Sequence, residues 1–331
     1  MMNWNGKKVL LTGAGGFIGS HLCEALVSRG ADVTALIHYN SRNDWGNLEF
    51  VDPVCKTAIR VVAGNIEDSD FVARQVRGQA VVFHLAALIA IPYSYTAPLS
   101  YVRANVEGTL NVLEAAREYN VERVVHTSTS ETYGTAIYAP IDEKHPMQGQ
   151  SPYSASKIGA DKIAESYYLS FNTPVVTLRP FNTYGPRQSA RAVIPTIITQ
   201  ALNQETIRLG SLDPVRDMNY VKDTVNAFIC AAEAPEQALG QVINAGSGRG
   251  VTIGELVEII QRLLGTQKQI ILEDQRMRPA KSEVFKLICD NRKAAELMGW
   301  TPQYTLENGL TETIAYLRDH LHLYKTNQYT I

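Results

Sequence analysis

A chain of 331 residues, 45% of them hydrophobic, is long enough to bury a large core in one large domain or two smaller ones. Its formal net charge of -2 gives no overall attraction to nucleic acid or to an anionic membrane. Four scattered cysteines without metal-ligand spacing, and the lack of any apolar run of roughly 20 residues, predict a cytoplasmic protein with neither a metal site nor a membrane span.

The first 180 residues alternate short apolar runs, typical of buried strands, with segments of helical periodicity. Strands are predicted over 8–11, 33–37, 59–63, 80–85, 123–127 and 175–178, and the clearest helices over 16–28, about 99–119 and about 153–170. This alternation predicts a doubly wound α/β fold with a parallel sheet. Beyond it, prolines punctuate shorter elements and indicate a smaller mixed α/β lobe. We therefore predict one domain over 1–180 and a second over 181–331, with some return of the chain to the first.

A glycine-rich turn joins the first predicted strand to the first predicted helix, and its glycines are spaced three residues apart. Gly13 permits a tight turn, Gly16 lets the backbone approach a pyrophosphate at the helix N-terminus, and Gly19 allows the helix to pack closely on the strand. Phe17 and Ile18 begin the apolar face of that helix. The turn therefore predicts a dinucleotide-binding site.

A Ser/Thr-rich strand end and a Tyr-x-x-x-Lys pair follow farther along the chain. Tyr153 and Lys157 are four residues apart and therefore share one helix face. There the ammonium would lower the pKa of the phenol towards neutrality and make it a base for a hydroxyl proton. Thr129, Ser130 and Glu131 add two hydroxyls and a carboxylate. With the glycine turn, these residues indicate a nicotinamide-dependent enzyme that oxidises a sugar hydroxyl.

The glycine spacing and the Tyr-x-x-x-Lys pair together resemble the short-chain dehydrogenase/reductase superfamily, in its extended branch that acts on nucleotide sugars. The resemblance implies a Rossmann domain that carries the catalytic residues and a lobe that binds the nucleotide sugar. It also implies a homodimer formed through the helices near 99–119 and 153–170. Further segments resembling this branch cover nearly the whole chain, namely 64–68, 84–87, 179–187, 216–223, 278–279 and 290–302.

The cofactor implied by this resemblance is NAD(P). Ile37 occupies the position where an acidic residue would bind the adenosine ribose of NAD. His38 and Arg42 could favour a 2′-phosphate, but the arginine pair of NADP-using relatives is absent, so we favour NAD. The implied cofactor contacts are Gly13, Gly16, Phe17, Ile18, Gly19, His38, Arg42, Asn65, Ile66, Leu85, Ala86, Ala87, Tyr153 and Lys157.

A nucleotide sugar carries a diphosphate, and planar guanidinium groups bind phosphate oxygens with defined geometry. Several arginines follow residue 180 and are candidates for this contact. We expect Arg191 and Arg276 to make only surface pairs. The substrate contacts implied by the resemblance are Ser94, Asn182, Arg187, Arg216 and Arg278.

The Thr-Ser-Glu triplet resembles that of nucleotide-sugar 4,6-dehydratases, and its serine form is similar to GDP-mannose 4,6-dehydratase. In the implied cycle, Tyr153, activated by Lys157 and assisted by Thr129, accepts the C4 hydroxyl proton while the C4 hydride moves to the nicotinamide. Glu131 then removes the C5 proton and, with Ser130, helps the C6 hydroxyl leave as water. Hydride returns to C6, which leaves a 4-keto-6-deoxy sugar and an unchanged cofactor. A helix cap or an ion pair is the structural alternative for Glu131.

Segments 90–98, 127–136 and 180–191 resemble the LegB group of N-acetylglucosaminyl nucleotide 4,6-dehydratases from legionaminic acid biosynthesis. The implied substrate is UDP- or GDP-N-acetylglucosamine. UDP-glucuronate decarboxylases share the Thr-Ser-Glu triplet, and a 4-epimerase or a 5,6-dehydratase that stops halfway are further alternatives. A non-enzymatic nucleotide-sugar or NAD(P) sensor is disfavoured, because Thr129, Glu131, Tyr153 and Lys157 occur together.

Overall fold

The computed structural model describes residues 2–277 and 279–325. No helix in these ranges is long and apolar enough to cross a membrane. The strands are β1 Lys8–Thr12, β2 Asp32–His38, β3 Arg60–Gly64, β4 Val81–His84, β5 Arg123–Thr127, β6 Val175–Pro180, β7 Asn182–Tyr184, β8 Thr206–Leu209, β9 Val215–Tyr220, β10 Val242–Ala245, β11 Gly250–Thr252, β12 Gln269–Leu272 and β13 Lys286–Leu287. The α-helices are α1 Phe17–Val27, α2 Pro53–Ala58, α3 Ser69–Val76, α4 Ile91–Thr96, α5 Pro98–Tyr101, α6 Gly108–Glu118, α7 Pro152–Phe171, α8 Val193–Asn203, α9 Val221–Glu233, α10 Ile253–Leu264, α11 Arg292–Met298 and α12 Leu306–Asp319.

Seven strands of the described chain form one parallel sheet in the order β3-β2-β1-β4-β5-β6-β10. The chain builds outward from β1 to β3 and then crosses to β4 on the other side of β1. The carboxyl ends of β1 and β4 therefore flank the topological switch point, where open α/β sheets bind their ligands. The predicted doubly wound α/β fold is confirmed. The strand β10 comes from beyond residue 180, so the chain does return to this sheet.

Apolar residues cover both faces of the sheet, as a parallel sheet requires. Val9 and Leu11 of β1 pack on the side of α1 and α9, whereas Leu10 packs on the side of α3, α6 and α7. All three side chains are fully buried. This alternation along a short apolar run is the reason that the run forms an inner strand.

Beyond β6 the chain also forms two smaller sheets. The strand β9 pairs with β7, β11 and β13, while β8 pairs with β12. Asp223, at the start of α9, joins the C-terminal segment to this region: its carboxylate accepts the backbone N–H groups of Gln303 and Tyr304, both at 3.0 Å. The carboxylate of Asp223 is therefore a structural acceptor.

The helix predicted near 99–119 is interrupted, because a π-helical segment, Val102–Glu107, separates α5 from α6. Asn105 lies in this segment and is 1% exposed. Its side chain bonds the backbone N–H of Leu88 at 2.8 Å and the carbonyl of Leu88 at 3.0 Å, and it donates to the Ser156 hydroxyl at 2.9 Å. The segment therefore fastens the chain after β4 to α7. Helical periodicity carries no sign of these long-range bonds.

Candidate active site

A cavity of about 1030 Å³ runs along the carboxyl edge of the central sheet. Its wall includes the glycine turn after β1 and the chain that follows β2, β4, β5 and β6. The predicted cofactor contacts all line it: Gly13, Gly16, Phe17, Ile18, Gly19, His38, Arg42, Asn65, Ile66, Leu85, Ala86, Ala87, Tyr153 and Lys157. Thr129, Ser130 and Glu131 line the same cavity. Residues that are far apart in sequence therefore meet at one edge of the sheet.

Close backbone contacts hold the glycine turn against the chain after β4. Gly13 has a φ of +71°, and a Cβ there would lie 2.7 Å from the backbone nitrogen of Ala86. A Cβ on Gly19 would lie 2.2 Å from the Gly13 carbonyl oxygen. No side chain fits at either position without moving the backbone. The N-cap of α1 is Gly16, which has no side chain, so the helix N-terminus is left for an anion such as a pyrophosphate.

The loop after β2 carries both an acid and a base to the cavity wall. Arg42 and Asp44 both line the cavity. The Asn40 side chain closes the loop, because it donates to the Asp44 carbonyl at 2.7 Å and accepts the Asp44 backbone N–H at 3.0 Å. Sequence reasoning missed Asp44, because the ribose-binding acid was expected at the position of Ile37. The Asp44 carboxylate is a partner for a ribose hydroxyl, and the Arg42 guanidinium is a partner for a 2′-phosphate.

The helix α7 begins just before the predicted Tyr-Lys pair. Ser151 caps it by accepting the Ser154 backbone N–H at 3.1 Å, and Pro152 occupies the first turn. Tyr153 and Lys157 then lie in the first two turns, where they are 7% and 4% exposed. The Lys157 ammonium donates to the Thr127 carbonyl at 2.6 Å.

Burial dominates the ionisation of this pair. It raises the pKa of the Tyr153 phenol, and a hydrogen bond with Thr129 offsets only part of this effect, while the Glu131 carboxylate adds to it. Burial also lowers the pKa of Lys157 to about 8, against the attraction of Asp161. In the protein alone the pKa of the phenol is therefore raised and not lowered as predicted, because desolvation outweighs the effect of Thr129.

The Thr-Ser-Glu triplet forms a short 3-10 turn, Ser130–Tyr133, directly after β5. Thr129 caps this turn, because its hydroxyl accepts the Glu131 backbone N–H at 3.3 Å. Ser130 is 2% exposed, whereas Glu131 is half-buried. The turn thus presents a carboxylate to the cavity close enough to Tyr153 to affect the phenol electrostatically.

The structure brings only part of the predicted substrate set to the cavity. Asn182 lines the cavity, but Ser94 is fully buried and donates to the Ile91 carbonyl at 2.7 Å. Arg187 pairs with Glu24 of α1 at 2.5 Å. Arg216 pairs with Glu283 at 3.2 Å. Neither of these arginines is part of the cavity wall, and Arg278 lies outside the described residues.

Arg191, expected only in a surface pair, instead lines the cavity, and this expectation was wrong. Its Nε donates to the Ser189 hydroxyl at 3.3 Å. No carboxylate of residues 2–277 and 279–325 lies within salt-bridge distance of Arg191, whereas Arg276 pairs with Glu273 at 2.7 Å as expected. The described ranges also hold no cluster of three His, Cys, Asp or Glu side chains suited to a metal ion.

The sequence pattern of the GDP-mannose 4,6 dehydratase family matches residues 10–313. The chain belongs to this family. A putative UDP-glucose 4-epimerase of Methanocaldococcus jannaschii is 30% identical over 94% of this chain and 99% of that protein. The dTDP-D-glucose 4,6-dehydratase of Mus musculus is 30% identical over 96% of this chain and 91% of that protein.

Solved structures of both enzyme types resemble this fold. The dTDP-glucose 4,6-dehydratase DesIV from Streptomyces venezuelae, with NAD bound, has a TM-score of 0.86 at 29% identity and covers 97% of this chain and 99% of its own. The UDP-glucose 4-epimerase of Thermotoga maritima, with UDP-glucose, has a TM-score of 0.85 at 30% identity. It covers 95% of this chain and 99% of its own. The protein is therefore an NAD(P)-dependent enzyme of the nucleotide-sugar 4,6-dehydratase and epimerase family.

Tyr153→Phe should lower turnover by roughly 10² to 10⁴, because it removes the predicted proton acceptor while keeping the ring. Binding of NAD should persist, as measured by the quenching of protein fluorescence on titration. The control is Tyr168→Phe on the same helix, at a position that does not line the cavity, and it should keep normal turnover. Near-normal turnover of folded Tyr153→Phe would contradict the role of Tyr153.

Proposed function

We propose that this enzyme is a nucleotide-sugar 4,6-dehydratase that converts UDP- or GDP-N-acetylglucosamine to the 4-keto-6-deoxy sugar nucleotide. The observation that supports it most is the placement of Glu131 in the cavity beside Tyr153. A 4-epimerase needs a proton acceptor at the C4 hydroxyl, because its hydride leaves and returns at C4. Loss of water also requires an acid/base group for the C5 proton and the C6 hydroxyl. Glu131 supplies that group.

In the first step the chain has to bind the cofactor and accept a proton. When bound, NAD(P) takes up and returns a hydride. Gly13, Gly16 and Gly19 would hold its pyrophosphate at the N-terminus of α1, while residues 85–87 would hold the nicotinamide ribose. Tyr153 accepts the C4 hydroxyl proton, with the Thr129 side chain close enough to lower the pKa of its phenol. Lys157, charged below a pH of about 8, stabilises the phenolate form of Tyr153 that accepts this proton.

In the second step the 4-ketone acidifies the C5 hydrogen, and Glu131 takes that proton. Ser130, which is buried beside it, helps the C6 hydroxyl leave as water, with the proton supplied by Glu131. A proton from solvent then adds to C5 as the hydride returns to C6, and Tyr153 releases the proton of the C4 hydroxyl to solvent. The carboxylate therefore acts first as a base and then as an acid, which suits a half-buried side chain at the cavity wall.

The main alternative is a nucleotide-sugar 4-epimerase, because relatives of that name are as similar in sequence as the dehydratases. A UDP-glucuronate decarboxylase or a 5,6-dehydratase would begin with the same oxidation at C4. Resemblance to the LegB group favours the N-acetylglucosamine nucleotides and a place in legionaminic acid biosynthesis. The reaction products discriminate among these candidates.

The proposal includes the division of the chain at residue 180 and a homodimer. The helices expected to pair carry exposed apolar side chains, including Leu99 at 60%, Val102 at 50% and Leu169 at 72%. Exposed apolar side chains on neighbouring helices favour burial against the same helices of a second copy of this chain. A molar mass of one chain in solution would contradict the dimer.

Purified enzyme incubated with UDP- or GDP-N-acetylglucosamine should form a product lighter by one water, without net consumption of cofactor. Mass spectrometry of both incubations is the test. An isomer of unchanged mass would contradict dehydration and support epimerisation. Release of carbon dioxide from UDP-glucuronate would support the decarboxylase, and a product that lacks one water but retains a 5,6-ene would support the 5,6-dehydratase.

Glu131→Gln should still permit oxidation at C4 but block water loss, because the amide keeps the shape of the carboxylate without its basicity. Reduced cofactor should then accumulate on the enzyme and be visible by its absorbance. In heavy water the wild type should place one solvent deuterium at C5 of the product, and the variant should leave recovered substrate unlabelled. The control is Glu258→Gln on the surface of α10. Normal dehydration by Glu131→Gln would assign the base to another residue.

Arg191→Gln should raise the KM for the nucleotide sugar by about 10- to 100-fold, the effect of losing one charge-assisted hydrogen bond to phosphate. Turnover at saturation should change little, since we propose that the Arg191 guanidinium contacts the diphosphate and not the reacting carbons. Arg276→Gln is the matched control, because Arg276 pairs with Glu273 outside the cavity. An unchanged KM for Arg191→Gln, with a raised KM for Arg187→Gln or Arg216→Gln, would return the diphosphate contact to those arginines.

A further inference from the structure

An ion pair shielded from solvent lies next to Lys157. The Arg179 guanidinium donates to Asp161 Oδ2 at 2.6 Å, and each side chain is 3% exposed. Two charges buried in this way lose their hydration, so such a pair is often no more stabilising than apolar residues of the same volume. The ion pair is therefore of interest for its position beside Lys157 and not for its contribution to the stability of the fold.

Asp161 contacts the same strand end that holds the two predicted catalytic side chains of α7. The carbonyl of Thr127 accepts the Lys157 ammonium at 2.6 Å. The next residue, Ser128, donates its hydroxyl to Asp161 Oδ2 at 2.5 Å. The residue after that, Thr129, lies close enough to the Tyr153 phenol to lower its pKa. Three consecutive residues thus align Lys157, Asp161 and Tyr153.

The Asp161 carboxylate is held from three directions. Besides Arg179 and Ser128, His126 Nε2 donates to Asp161 Oδ1 at 3.1 Å. Burial lowers the pKa of His126, so the ring is neutral and its proton lies on Nε2. Burial opposes ionisation of Asp161, but the Arg179 charge and the His126 hydrogen bond outweigh it and hold the pKa of Asp161 below its ordinary range. The carboxylate therefore remains charged at every pH at which the enzyme would work.

Several titratable groups face Lys157 from the elements packed around it. They are His84 of β4, His126 of β5, Arg179 of β6 and Asp161 of α7 itself. Tyr153 lies four residues before Lys157 on the same helix face. Burial lowers the pKa of Lys157 to about 8, Asp161 acts against this, and Arg179 adds to it. Asp161 also lies four residues beyond Lys157 and thus on the same helix face.

We propose that Asp161 is the positioning residue that keeps the Lys157 ammonium charged and aligned with Tyr153, and that Arg179 and Ser128 hold Asp161 in place. The inference rests on the proposed role of Tyr153 and Lys157 in oxidation at C4. It does not depend on the steps that follow, so it holds for a dehydratase or an epimerase alike.

The pH dependence of turnover tests this role. Activity that needs the ammonium is lost as pH rises through the pKa of Lys157. Asp161→Asn removes the charge that raises this pKa. The alkaline limb of the pH profile, where turnover falls as pH rises, should therefore move to lower pH by roughly one unit or more. Asp161→Glu keeps the charge and should keep the limb, even if turnover falls. Asp223→Asn, another buried carboxylate that bonds backbone amides outside the cavity, should leave the limb in place.

A second variant covers the case in which Asp161→Asn does not fold. Arg179→Gln removes the positive charge that lowers the pKa of Lys157, so the alkaline limb should move in the opposite direction, to higher pH. A purely structural role for the ion pair predicts the same loss of thermal stability in both variants but no opposed movement of the limb. If the alkaline limb stays at the wild-type pH in both variants, the proposal is overturned.

A readout without turnover separates this proposal from the proposed function. Protein labelled with ¹³C at lysine Cε is titrated by NMR, and Lys157→Arg identifies the resonance of Lys157. The midpoint should fall in Asp161→Asn and rise in Arg179→Gln. Shifted midpoints in a protein that does not dehydrate its substrate would support Asp161 while contradicting the proposed function. Unchanged midpoints in folded variants would overturn the role of Asp161.

Discussion

The end of β5 is the feature on which the site depends. Thr127 accepts from Lys157, Ser128 donates to Asp161, and Thr129 lies close enough to Tyr153 to lower its pKa. One strand end therefore sets the register of α7 against the sheet. A parallel strand in the middle of a sheet is bonded on both sides and moves little. Its terminal residues can therefore fix side chains on a neighbouring helix within the small tolerances that proton transfer requires.

Burial controls the ionisation of the phenol and the ammonium in this site. A phenol and an ammonium taken out of water both shift towards their neutral forms, which is why the pKa of Tyr153 rises and that of Lys157 falls. The phenol can reach the ionised form that accepts a proton only if a positive charge nearby compensates for the lost hydration. Lys157, next to the permanently charged Asp161, is the group of α7 that can supply it.

The fold and the centre of the site were predictable from sequence, because both depend on local patterns. Short apolar runs predict inner strands, and the glycine spacing predicts the backbone contact that Gly13 and Gly19 make. The arginine assignments depend instead on long-range packing. Arg187 adopts a φ of +68° and pairs with Glu24, which lies 163 residues earlier in the chain, and no local pattern reports this contact. The ionisation of Tyr153 and Lys157 could not be predicted from the sequence either, since spacing along a helix does not reveal the depth of burial.

Dehydration and epimerisation share every residue of the oxidation step and differ in where the hydride returns. The most direct measurement is therefore the fate of deuterium placed at C4 of UDP- or GDP-N-acetylglucosamine, followed by NMR and mass spectrometry of the product. We predict that the deuterium moves within the sugar from C4 to the new methyl group at C6, as one water is lost. Deuterium found at C4 of an epimerised sugar, with both C6 hydrogens and the C6 hydroxyl intact, would contradict it.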